Sequence, residues 1–175
     1  MRLRMVVWAA LAATLVPGAA ADAGRHRGNC PGARTSPAHA KRFLRAVLCL
    51  QGVERRKHGL GSLRLSRRLD RAAMRHARDM VRRRYFGHIS PAGSDPLGRA
   101  RDAGYRGARR TTVGENLLSW TAPLTPVEVL KRWMASPPHR SDILGRWRDV
   151  GAAVITASPS SAGGITVVVE FGRRT

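Results

Sequence analysis

Asp149-Val150-Gly151-Ala152-Ala153-Val154-Ile155 and Ile165-Thr166-Val167-Val168-Val169-Glu170-Phe171 are the stretches that decide the fold of this 175-residue chain. Val150, Ala152 and Val154 alternate with Gly151, Ala153 and Ile155, and Ile165, Val167, Val169 and Phe171 with Thr166, Val168 and Glu170, a period of two. Both faces of each stretch are mostly apolar, so both need cover, and helices should lie on each side of an antiparallel sheet. Ser158-Pro159 to Gly164 reads as the hairpin loop between them, and Glu115 to Trp120 as a third strand. The expected class is α+β.

Upstream the period is helical. Phe43, Val47, Leu50 and Val53, widened by Leu44 and Leu48, predict a helix from about Ala38 to Arg56, stopped by Gly59 and Gly61. Ser66 can cap a second helix that buries Leu69, Ala73, Ala77, Met80 and Val81, turns Arg67, Arg68, Arg71, Arg75 and Arg78 outward, and ends near Arg83. Asp95-Pro96 and Thr125-Pro126 are helix starts, an oxygen acceptor followed by a residue needing no N–H. The first of these helices closes at Gly104. The second runs to about Ala135, burying Val127, Leu130, Trp133 and Met134, and Ser136-Pro137 is read as the cap of a further turn carrying His139 and Ile143.

The N-terminus bears on the compartment. Arg2 and Arg4 precede an uncharged apolar run, Met5 to Val16, and Ala19-Ala20-Ala21 offers a cleavage site, so residues 1–21 read as a secretory signal peptide, with an uncleaved anchor as the alternative. Residues 22–40, rich in Gly, Arg, Pro and Ser, read as a flexible arm before a domain spanning 41–175. Without residues 1–21 there remain 30 basic against 11 acidic side chains, about +19, nearly all from arginine. Either the arginine bias of a GC-rich genome or binding to an anionic cell-surface polymer or lipid accounts for this. No nucleic-acid module is present in the sequence, and a secreted monomer is expected. Cys30 and Cys49, the only cysteines, suggest a disulfide in an oxidising compartment, with two free thiols as the alternative.

Two histidines and a carboxylate are raw material for a metal or acid/base site. They stand in Tyr85-Phe86-Gly87-His88, Gly114-Glu115-Asn116 and Ser136-Pro137-Pro138-His139-Arg140, too far apart for any local ligand motif. Taken with Leu69-Asp70-Arg71-Ala72-Ala73, Ser90-Pro91, Arg99, Gly104-Tyr105, Trp133-Met134, Ile143-Leu144, Val150-Gly151 and Phe171-Gly172, these segments resemble the CAP superfamily of cysteine-rich secretory, antigen 5 and pathogenesis-related 1 proteins, in its bacterial branch. The resemblance covers about Phe43 to Phe171.

The resemblance implies an α–β–α sandwich with a central cleft lined by His88, Glu115 and His139. The second glutamate of many members falls on Ser136, which leaves the cleft short of negative charge. Two imidazoles and a carboxylate suit zinc better than magnesium or calcium. The alternative is that the histidines are hydrogen-bonded to Glu115 and tie loops together. Asn116 is read as ordering the Glu115 turn and Ser136 as supporting the cleft. His76 is read as a half-buried core histidine. Trp120, Trp133 and Trp147 read as core or rim packing. Neither Ser90 nor Ser136 sits in a nucleophile elbow. The expected function is a secreted, non-catalytic binding module with a cleft for an unknown small ligand, lipid or metal. The rivals are a metal-dependent hydrolase using the His/Glu/His cleft and a wall-associated structural or adhesive protein.

Overall fold

The computed structural model describes residues 29–175, so the signal peptide read over 1–21 and the first part of the arm, 22–28, lie outside the described residues. Four strands, β1 (Arg64–Leu65), β2 (Thr111–Trp120), β3 (Asp149–Ile155) and β4 (Ile165–Arg174), form one sheet in the order β1-β3-β4-β2. β4 lies antiparallel between β2 and β3, and β1 pairs parallel with β3. Alternation does what the sequence predicts. Ile165, Val167, Val169 and Phe171 face a layer made by α1 (Ala40–Lys57), α4 (Pro126–Ala135) and α5 (Pro137–Ile143), where Phe43 and Trp133 are buried. Val168, Ala153 and Leu117 face α2 (Arg67–Arg83), beside which α3 (Pro96–Asp102) packs. The chain is thus an α–β–α sandwich of the α+β class.

Helix boundaries follow local chemistry. Ser66 Oγ accepts from the Leu69 N–H at 3.4 Å, Asp95 Oδ1 from the Gly98 N–H at 2.6 Å, and Thr125 forms a reciprocal capping box with Glu128. Ser136 departs from expectation: it stands at the N-terminal boundary of α5 but its side chain caps nothing. Strand β1 was not foreseen, because two residues are too few to show a period.

Cys30 and Cys49 are bonded, with Cα atoms 5.7 Å apart. The arm read as flexible is, over residues 29–39, a series of turns joined to the domain by that bond and by the Val127 N–H, which donates to the Ala33 carbonyl at 3.2 Å. Gly and Pro mark tight turns as readily as linkers, and here the turns connect α1 to α4. Breaking the disulfide is expected to lower stability by roughly 3 kcal/mol, the loop-closure value for about 20 residues. Denaturant unfolding with and without reductant measures it, and coincident midpoints would contradict it.

Candidate functional site

Strand β2 is an edge of the sheet, so its residues reach both layers. Glu115 faces α2 and α3, while Gly114 and Asn116 face the α5 side. A Cβ at Gly114 would stand 2.7 Å from Trp147 Cζ2 and 2.9 Å from Asp142 Oδ1, closer than real contacts allow, so only glycine lets the segment after α5 close over the sheet edge. Trp147 holds that closure by donating its indole N–H to the Asp142 carbonyl at 2.8 Å.

Glu115 is 4 % exposed and has both oxygens engaged. Oε1 pairs with His88 Nδ1 at 2.8 Å and Oε2 accepts from Arg99 Nη2 at 2.8 Å. Arg99 also donates to the His88 carbonyl at 2.9 Å, so one guanidinium holds both the carboxylate and the loop carrying its imidazole partner. Burial pushes Glu115 towards protonation, but the His88 hydrogen bond and the Arg99 charge outweigh it and hold the carboxyl below its usual range. His88 is raised, chiefly by its bond to Glu115 and against partial burial. His76, fully buried rather than half-buried, has Nε2 3.0 Å from the Gly87 carbonyl and 3.8 Å from Glu115 Oε2. Burial lowers its pKa, so it is neutral at neutral pH and the approach to Glu115 is not an ion pair.

His139 enters from α5. Its carbonyl accepts from Asn116 Nδ2 at 3.0 Å, and its ring Nδ1 lies 2.9 Å from Ser136 Oγ. Asn116 therefore anchors α5 from within a strand instead of ordering a turn, and the Ser136 hydroxyl is engaged by the imidazole. Burial first, and the His88 charge second, lower the His139 pKa. His88 and Glu115 are thus in contact, with His139 within electrostatic reach of His88.

Two carboxyl groups were missed. Glu170 stands directly opposite Glu115 in the β2–β4 register, is completely buried, and neither of its oxygens meets a nitrogen or hydroxyl donor. Burial and the Glu115 charge push its pKa well above the usual range, which favours the protonated form of Glu170. Its signal in the sequence was a lone carboxyl in an otherwise apolar strand. Asp142, one helical turn beyond His139, is pushed up to about 6 by burial, with Glu115 raising it and His88 lowering it. The i, i+3 spacing on one helix face could have marked it.

Zinc needs three or four converging donors. Among the described residues no three His, Cys, Asp or Glu side chains are grouped to hold one ion. Glu115 is buried, with Oε1 held by His88 and Oε2 by Arg99, so it serves these two partners and not an ion. As placed, the described side chains do not converge as a ready zinc site.

The sequence model of the Cysteine-rich secretory protein family, CAP, matches residues 49–171. The chain belongs to the CAP family. Uncharacterized protein YkwD of Bacillus subtilis (strain 168) is 33% identical over 110 residues, which cover 63% of this chain and 41% of YkwD. The match thus spans less than half of that relative. Among solved structures, an outer surface protein of Borrelia burgdorferi has a TM-score of 0.67 at 20% identity, over 78% of this chain and 96% of that one. An extracellular protein containing an SCP domain from Bacillus anthracis str. Ames has a TM-score of 0.62 at 20% identity, over 77% and 43%. These likenesses establish the fold of the CAP domain. Among its described residues no helix is long and apolar enough to cross a membrane.

Proposed function

We propose that this CAP domain is a secreted or envelope-associated binding module without catalytic activity. The observation that carries this reading is the state of Glu115: 4 % exposed, with Oε1 on His88 and Oε2 on Arg99, it is engaged as a buried tie between the sheet edge, the His88 loop and α3 instead of standing open to solvent as a general base. What meets a ligand is the rim. The His88 side chain is 52% exposed, and Phe86 and Ile89 beside it are exposed apolar side chains. Such a rim suits a small ligand with a hydrogen-bonding group on an apolar body. The exposed arginines supply attraction to anionic polymer or lipid.

Native mass spectrometry of exported protein, after incubation with zinc and buffer exchange, tests the reading. The expected result is no stoichiometric zinc, with any retained mass being organic. One zinc per chain, lost in His88→Ala, would instead favour the metal-dependent hydrolase. Retention on anionic polymer should also weaken steeply as salt rises past physiological strength, where the screening length is about 8 Å. Retention indifferent to salt would attribute the arginine content to composition alone.

A further inference from the structure

The outer face of α2 carries Arg67, Arg68, Arg71, Arg75, Arg78 and Arg82, all exposed. Arg75, Arg78 and Arg82, spaced i, i+3 and i+7, border a cavity of about 770 Å³ between α2, residues 90–94 and the end of β3. Its inner wall carries a few polar groups that are held in place. Arg99, 8 % exposed, donates through Nη1 to the Ser94 carbonyl at 2.6 Å and through Nη2 to Glu115, and its Nε has no acceptor. Ser90 Oγ accepts from the Ser94 N–H at 3.1 Å, which leaves the Ser90 hydroxyl hydrogen free to donate. Val81 and Ile155 give the same cavity an apolar side.

The charge here is unbalanced. The one carboxylate in the lining, Asp79, already accepts from Tyr85 at 2.8 Å and pairs with Arg82 at 3.3 Å and Arg83 at 3.7 Å. Arg75 and Arg78 lie one turn apart with like charge, an arrangement that repels on a helix until an anion joins it. Guanidinium forks match phosphate oxygens in geometry and charge.

We propose that this cavity is a site for a phosphate-bearing anion. Arg75 and Arg78 grip the phosphate with the Ser90 hydroxyl, and an organic body rests on Val81 and Ile155. The site lies beside the His88–Glu115–His139 cleft, shares Arg99 and His76 with its surroundings, and stands whether or not that cleft binds a ligand. A free phosphate and a lipid headgroup present the same chemistry, and the apolar side decides between them.

Calorimetric titration of the purified protein with inorganic phosphate, and with dihexanoyl phosphatidate below its micelle-forming concentration, tests the assignment. The expected result is saturable one-to-one binding, weakened by about tenfold or more in Arg75→Gln/Arg78→Gln as charge-assisted contacts are lost. Arg67→Gln/Arg68→Gln removes the same charge from the same helix away from the cavity, and should leave binding nearly unchanged. Preference for phosphatidate identifies the lipid headgroup as the source, and equal binding of inorganic phosphate identifies the free anion. Absence of saturable binding by either probe, or equal losses in the two double variants, would overturn the proposal.

Discussion

Replacing Glu115 by Gln is expected to lower the unfolding free energy at neutral pH by about 3 kcal/mol, whereas Glu170→Gln, the same change on the facing strand, should cost almost nothing. Glu115 is the carboxylate that balances buried Arg99, and losing one partner of a buried ion pair leaves an uncompensated charge. Burial and the Glu115 charge favour the protonated form of Glu170, so an amide of the same shape is expected to remove little charge. Its side chain also stands in reserve: with Glu115 gone, Glu170 can ionise and take up Arg99. The double variant should therefore cost about 1 kcal/mol or more beyond the sum of the singles. Chemical denaturation of all four proteins measures this, and equal losses from the two single changes at pH 7 would refute the assignment of the proton.

The same assignment fixes the sign of a pH dependence. Glu170 binds its proton more tightly in the folded chain than in the unfolded one. Its contribution is therefore fully present below the unfolded value, about 4.5, and is lost as pH rises through the raised folded value. The stability of the parent protein relative to Glu170→Gln should fall as pH increases above about 4.5. A difference that grows with pH would mean that Glu170 is ionised in the fold.

Arg55→Met is the second change with a large expected effect, again about 3 kcal/mol. Arg55 leaves α1 with 3 % exposure and ends on carbonyls: Nη1 on Ile143 and Gly145, each at 2.8 Å, and Nε on Gly61 at 3.1 Å. Without it these acceptors are stranded where water has poor access, at about 1–3 kcal/mol for each left unpaired. A lysine cannot fork across three carbonyls, so Arg55→Lys should recover only part of the loss. Because the bonds gather the C-terminal end of α5, amide exchange should accelerate around residues 143–147 more than in β4. A uniform acceleration would point to general destabilisation instead.

The sandwich was legible because its elements are periodic and its helix starts carry their own capping chemistry, as at Ser66, Asp95 and Thr125. His88, Glu115 and His139 were legible only through the family pattern, since no local spacing joins them. Glu170 escaped notice for a topological reason. Its partner is set by β4 lying beside β2, and nothing within residues 165–171 records which strand that neighbour is. The arginine charge was plain, but the pairing of Arg99 with Glu115 depended on where α3 docks. Ser136 misled because its position before Pro137 is that of a cap while its hydroxyl is taken by His139.

The strand order also has a bearing on how the chain acquires its structure. β4 is the last of the described elements, yet it occupies an interior place in the sheet and is the partner of both β2 and β3. Until residues 165–174 are available, β2 has no strand to pair with and β3 has only the two residues of β1. A chain emerging N-terminus first thus carries helices but no sheet to pack them on, and its folding waits on contacts distant in sequence. Under the secretion proposed above, that delay would be an advantage, because nothing bulky forms while the chain is in transit.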